Sequence, residues 1–149
     1  MGYYLLIMLF GELLLIFASS TTLLTICLFY LYFKNRDHKN FLYAGLFFLC
    51  CSLTIYGECH IERNFGPAQA IFWTKTLYIA IFGFIYTFPL FIANLTGREL
   101  GKRTRYLLGA ITLVCFAFVG LTDLVITSQT VMFANVLQAQ YGPLYPLFI

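Results

Sequence analysis

Charged residues are scarce in this chain of 149 residues: nine are basic, six are acidic, and together they make up 10% of the sequence. A soluble domain has about 25% charged residues and about 45–50% apolar residues. Here the hydrophobic share is 61%, and a water-soluble globule would leave too much of it exposed. The composition therefore excludes a soluble enzyme and a disordered chain. A net charge of +3 without a long basic run also excludes a nucleic-acid-binding surface.

Catalytic and redox motifs are missing as well. The sequence has no GxSxG, HExxH, P-loop or dinucleotide-binding fingerprint. It therefore offers no nucleophile, base and orienting group together. The five cysteines contain no CxxC pair, and their odd number does not describe a disulfide framework. Residues 58–62 (Glu-Cys-His-Ile-Glu) carry side chains that bind metals, but neighbouring residues of a helix point in different directions. We expect no catalytic residues, no cofactor and no metal site.

Long apolar runs are what the sequence does contain. A helix needs about 20 apolar residues to cross a bilayer. We predict spans at about 8–33, 41–57, 71–95 and 106–126, and a fifth span that starts at about 141. These runs are too long for barrel strands, and an open sheet cannot cross lipid. The predicted fold class is an all-α, polytopic transmembrane helix bundle of four spans plus the start of a fifth, in a single domain over 1–149 with the lipid bilayer as its partner.

The basic residues predict the orientation of these spans. Seven of the nine Lys and Arg residues lie in or beside two short segments, 34–40 and 97–105. Short loops rich in Lys and Arg stay in the cytoplasm. We therefore expect both segments inside the cell and the N-terminus outside.

Four ionisable residues collect near the predicted outer ends of the spans: Glu12, Glu58, Lys75 and Asp123. Ionisable groups at membrane depth usually face the bundle interior or a wet cavity. One interpretation is an outward-facing ligand pocket; the alternative is a set of interfacial residues that face headgroups or pair with each other. Pro89 lies inside the third span, where a proline can kink a helix. It is either a hinge for signalling or a packed kink.

Three local motifs carry a resemblance to a known family. Span two closes with Tyr56-Gly57-Glu58, and span three ends with the segment from Pro89 to Thr96-Gly97-Arg98. Residues 127–140 after span four are predicted to be a polar connector, which closes with Tyr141-Gly142-Pro143-Leu144-Tyr145. Their order resembles the N-terminal seven-helix sensor region of bacterial histidine kinases, which also precedes diguanylate cyclases. The resemblance implies a non-catalytic input domain, truncated after about four helices, in the bacterial cytoplasmic (inner) membrane. It also implies a small-molecule ligand or membrane signal, a missing cytoplasmic output domain, and a homodimer through the parent protein.

Two other functions stay open at this point. A transporter or permease fragment would line a substrate path with the hydroxyl side chains of span one, Ser19 to Thr22 and Thr25. A small structural membrane subunit would use the same residues to pack against a partner helix. Flux in vesicles, or co-purification with a partner, would distinguish them from a sensor.

Overall fold

The computed structural model describes residues 2–62, 66–133 and 136–147, and its described part is dominated by four helices that are long and apolar enough to cross a membrane. They are α1 (Gly2–Lys34), α2 (Lys39–Glu62), α3 (Pro67–Leu95) and α4 (Lys102–Leu121). A two-stranded hairpin of β1 (Ile126–Phe133) and β2 (Val136–Tyr141) and a 3-10 turn at Tyr145–Leu147 follow. The predicted all-α, polytopic membrane bundle is confirmed, and the strand pair is an unexpected addition to it.

Helix α1 presents an apolar surface on one side and small or hydroxyl residues on the other. Leu23 and Tyr30 are each about two-thirds exposed, as expected for side chains that contact lipid. Ala18 and Thr25, on the opposite side, are buried. The 33 residues of α1 extend about 50 Å at 1.5 Å per residue, which is longer than the hydrocarbon layer. Part of α1 therefore projects beyond the membrane core.

Hydroxyl groups join α1 to α2. Ser52 of α2 donates a hydrogen bond of 2.9 Å to the Thr21 hydroxyl of α1, and both side chains are buried. Thr25 donates to the Thr21 carbonyl of its own helix at 2.8 Å. Small hydroxyl residues allow helices to approach closely and to bond across their interface. Thr21 and Thr25 of span one thus lie in the helix interface, whereas Ser19 and Ser20 are exposed.

Two glycines bring the backbones of α2 and α3 close together. A Cβ placed on Gly57 would lie 2.9 Å from the Leu77 Cβ, and one on Gly83 would lie 2.7 Å from the Cys50 Sγ. Distances this short are not tolerated between carbon or sulfur atoms, so a larger residue at either position would force its neighbour to shift. Glycine at these two positions therefore sets the spacing of the helix pair.

The hairpin packs against α3 and α4 through a compact apolar cluster. Ile126 pairs with Tyr141 and Thr130 pairs with Ala139, with an irregularity in the register between them. Ile126 is fully buried, and it shares its cluster with Phe82 of α3 and Val119 of α4. The hairpin is therefore a docked part of the bundle.

The end of the fourth span differs from the prediction. Helix α4 stops at Leu121, whereas the sequence predicted about residue 126. Leu124, Val125 and Ile126 beyond it are also apolar, but Val125 and Ile126 are buried in the cluster at the base of the hairpin. Tyr141, the predicted start of a fifth span, is the last residue of β2, and the helical turn begins four residues later. Residues 148–149 of that predicted span lie outside the described residues.

Candidate functional site at the hairpin end

The bundle has two chemically different ends. The end that carries the hairpin is called the hairpin end; it includes the close of α2, the start of α3 and the close of α4. The opposite end carries the loops at 35–38 and 96–101 and is called the basic end. Three of the four predicted pocket residues, Glu58, Lys75 and Asp123, belong to the hairpin end. Glu12, the fourth, is exposed on α1 about two turns beyond the hydroxyl contact of Ser19 with Tyr56.

An ion pair joins the hairpin end of α3 to the turn after α4. The Lys75 Nζ lies 3.8 Å from the Asp123 Oδ1, with 21% of the lysine side chain and 59% of the aspartate side chain exposed. Ser128 of β1 donates a hydrogen bond of 2.8 Å to the same carboxylate oxygen. Asp123 thus connects α3 to the hairpin through one oxygen. The pair is accessible from solvent, so its net stabilisation is modest, roughly 0–1 kcal/mol.

Three tyrosines lie beside this pair. The hydroxyls of Tyr78 and Tyr145 are 2.8 Å apart, and the rings of Tyr141 and Tyr145 stack with centroids at 3.8 Å. The Tyr78 ring stands edge-on to both of the other rings. Aromatic pairs in these two geometries are favourable beyond their buried area. The tyrosines therefore attach both the end of β2 and the following turn to α3.

Tyr141 keeps its proton at physiological pH. Partial burial of the ring raises the pKa of the Tyr141 phenol above its usual value of 10, and its hydrogen bond with Tyr145 acts in the same direction. The charge of Glu58 raises that pKa further. The cluster therefore offers neutral hydroxyl groups, which both donate and accept hydrogen bonds, next to one cation and two carboxylates.

Sequence reasoning missed the tyrosines but not the charged residues. Lys75 and Tyr78 are three residues apart, so they lie on one face of α3. That spacing could have identified Tyr78, because the same face carries Phe82 in the apolar cluster under the hairpin. In the sequence, Tyr141 and Tyr145 stand out only as part of a motif. Their contact with α3 depends on the hairpin, which the sequence did not predict.

An aromatic column connects α2 and α3 at the same end. The His60 ring stacks on the Trp73 ring with centroids 4.2 Å apart, and Tyr56 lies parallel to His60 at 6.4 Å. Trp73 is the single tryptophan of the chain. Its fluorescence therefore reports on the hairpin end alone.

Pro89 lies near the opposite end of the same helix. Helix α3 continues through Pro89 to Leu95, although a proline cannot donate the backbone hydrogen bond of its turn. The side chain borders an apolar groove together with Phe88 and Ile92. Whether this position acts as a hinge stays a prediction.

Comparison with known proteins decides the family. The family model described as the N-terminal 7TM region of histidine kinase matches residues 14–149, which is most of the chain. The chain belongs to this family, the N-terminal 7TM regions of histidine kinases. No curated protein and no solved structure is significantly similar to it. Together with the four apolar helices, the match makes the chain a multi-pass membrane protein and a sensory input domain, as the motifs of the sequence implied.

Proposed function

We propose that the chain detects a small polar molecule at the hairpin end and passes the change along α3 to a cytoplasmic output domain of a bacterial kinase. The observation that carries the proposal is the docking of the hairpin through polar groups, Lys75 with Asp123 and Tyr78 with Tyr145. Polar contacts of this kind exchange readily for contacts with a polar ligand, whereas the apolar cluster beneath them does not.

The proposed mechanism requires that the ligand bind two conformations of the bundle with different affinities. A ligand shifts a conformational equilibrium only by the difference in its binding free energy to the two conformations. A carboxylate that binds Lys75, or an ammonium group that binds Asp123, replaces the ion pair and so favours the conformation in which the hairpin has moved. Lys75 and Tyr78 belong to α3, which extends without interruption to Leu95. Movement of the hairpin against α3 then changes the position of the last turns of α3 at the basic end, with Pro89 as the proposed hinge.

The test of ligand detection uses the fluorescence of Trp73. The chain in lipid nanodiscs is titrated with a panel of amino acids, dicarboxylates and diamines. We expect a saturable change for one class. Binding of a carboxylate should be at least about tenfold weaker in Lys75→Met, and binding of a diamine should be so in Asp123→Asn, because a charged hydrogen-bond partner contributes about 1.5–3 kcal/mol. Lys102→Met, which removes a charge at the basic end, is the matched control and should bind normally.

Two results would contradict the proposal. A carboxylate that binds as strongly to Lys75→Met, or a diamine that binds as strongly to Asp123→Asn, as to the unmodified chain would place detection elsewhere. The absence of any change across the panel, together with normal kinase signalling in the parent protein carrying Glu58→Ala and Lys75→Ala, would exclude the hairpin end as a sensor.

The proposed orientation places the hairpin end outside the inner membrane and the basic end in the cytoplasm, because basic loops are retained inside. Ser128→Cys, in the exposed part of the hairpin, is expected to react with a membrane-impermeant maleimide in intact cells. Thr104→Cys, exposed at the start of α4, should react only after the cells are opened. Labelling in the reverse pattern would invert the topology. The unmodified chain supplies the background from its own cysteines.

A further inference from the structure

The basic end contains a polar cavity of about 320 Å³ between the start of α2, the end of α3 and the start of α4. Its lining includes three cations from three different segments: Lys39, Arg98 and Arg105. Two carboxylates, Asp37 and Glu99, also border it, so the lining carries one positive charge in excess. Lys39 and Asn40 are the first residues of α2, where the helix dipole favours an anion.

Arg105 has donor capacity left over in this cavity. Its guanidinium lies 3.9 Å from the Glu99 carboxylate, but the Glu99 side chain is 95% exposed whereas that of Arg105 is 33% exposed. The Arg105 Nε is buried and has no hydrogen-bond partner among the described residues. At 3.9 Å, the contact of the terminal guanidinium nitrogen with Glu99 is longer than a hydrogen bond. That nitrogen can therefore donate to an acceptor in the cavity.

The local backbone explains why Arg98 borders the cavity. Gly97 has a φ of 66°, a left-handed conformation that glycine adopts without strain. The Gly97 N–H donates to the Asn94 carbonyl at 3.2 Å, and the Arg98 N–H donates to the Ala93 carbonyl at 2.8 Å. This closure folds the chain back over the end of α3. Arg98 is thereby held beside Asn94 rather than carried away by a continuing helix.

An apolar groove adjoins the polar cavity. The groove has a volume of about 840 Å³ and shares Arg98, Glu99 and Leu100 with the cavity. Phe88 and Ile92 border it, and they are 49% and 40% exposed on the side of α3. A polar, cationic cavity thus continues into an apolar groove along a membrane-spanning helix. An amphiphile with an anionic head matches the chemistry of both.

We propose that the basic end binds an anionic phospholipid, with its phosphate in the polar cavity and an acyl chain in the groove along Phe88 and Ile92. Guanidinium groups bind phosphate oxygens in a bidentate manner, and basic pockets between membrane helices on the cytoplasmic side suit anionic headgroups. The bound lipid would contact α2, α3 and α4 together. It would stabilise their arrangement at the end from which a signal leaves the bundle.

The experiment measures lipid retention by native mass spectrometry of the delipidated full chain with phosphatidylglycerol added. Arg98→Gln/Arg105→Gln is expected to bind phosphatidylglycerol at least about tenfold more weakly, because two charge-assisted contacts are lost. Lys102→Gln/Arg103→Gln removes the same charge from exposed positions outside the cavity and should retain the lipid. Glu99→Gln should retain more lipid, since Arg105 then loses its competing carboxylate; a misfolded variant cannot produce that gain.

Three outcomes would overturn the proposal. Phosphatidylcholine retained as strongly as phosphatidylglycerol would show that the site does not select an anionic head. Equal losses in the cavity variant and the Lys102/Arg103 control would show attraction by total charge alone. Glycerol 3-phosphate that displaces phosphatidylglycerol at a comparable concentration would assign the cavity to a soluble phosphate compound, with the acyl groove unused.

Discussion

Truncation of Ile126 to alanine is expected to lower the free energy of unfolding by about 2–5 kcal/mol and to release the hairpin from the bundle. Ile126 has no exposed surface and is among the largest fully buried side chains in the described part of the chain. Its removal leaves a cavity between α3, α4 and the hairpin, where Phe82 and Val119 lose their contact. Unfolding in mixed detergent micelles measures the loss, and hydrogen exchange of the β1 amides measures release.

Val131→Ala is the matched control for this prediction. Val131 lies on the same strand but is 45% exposed, so its truncation should cost much less. Equal destabilisation by both variants would mean that the apolar cluster under the hairpin does not hold it. Release of the hairpin should also abolish the Trp73 response to a ligand, because the proposed signal begins with hairpin movement.

Replacement of Gly142 by alanine is expected to open the base of the hairpin at a cost of about 1–3 kcal/mol, in the range of overpacked sites. A Cβ at this position would collide with the backbone carbonyls of Leu124 and Asp123. The Gly142 N–H donates to the Val125 carbonyl at 2.8 Å, and the Leu144 N–H donates to the Leu124 carbonyl at 2.8 Å. These two bonds close the hairpin, and a backbone shift weakens both.

Gly120→Ala serves as the comparison for Gly142→Ala. Gly120 lies near the end of α4, and a Cβ there meets nothing within 4 Å. Alanine should be tolerated or slightly stabilising at that position, since glycine is a poor helix former. The readout is hydrogen exchange of the backbone amides of residues 142 and 144, compared between the unmodified chain and the Gly142→Ala variant. Unchanged protection of the Leu144 amide would contradict the prediction.

The membrane helices could be predicted because their signal is local. Each span is a single apolar run, and the basic residues between the runs set its ends. The hairpin could not be predicted in the same way. Residues 127–140 have too little apolar length for a span, so their composition predicts a polar connector. In β2, however, Leu137, Ala139 and Tyr141 alternate with Gln138 and Gln140, the period of a half-buried strand.

The charged residues of the site could be predicted from the order of the spans across the membrane, whereas its aromatic residues could not. Alternating spans bring the ends of α2, α3 and α4 to one side of the membrane, so Lys75 and Asp123 could be expected near each other; the structure pairs them. The position of Tyr145 against Tyr78 depends on contacts between residues 67 positions apart, which no window along the sequence reveals. The end of α4 could not be predicted for a similar reason. Val125 and Ile126 are apolar because they lie in a small core, but the sequence pattern does not distinguish such residues from the last residues of a membrane span.

The two glycine contacts between α2 and α3 limit the kinds of movement by which a signal can travel. Leu77 and Gly83 are six residues apart on α3, about 9 Å along its axis, and each is held against α2 at close range. A slide or a rotation of α3 relative to α2 would force a side chain into the facing backbone at one of these points. The two helices are therefore expected to move together as one rigid pair. Force applied by the hairpin to α3 should tilt both together, against α1 on one flank and α4 on the other.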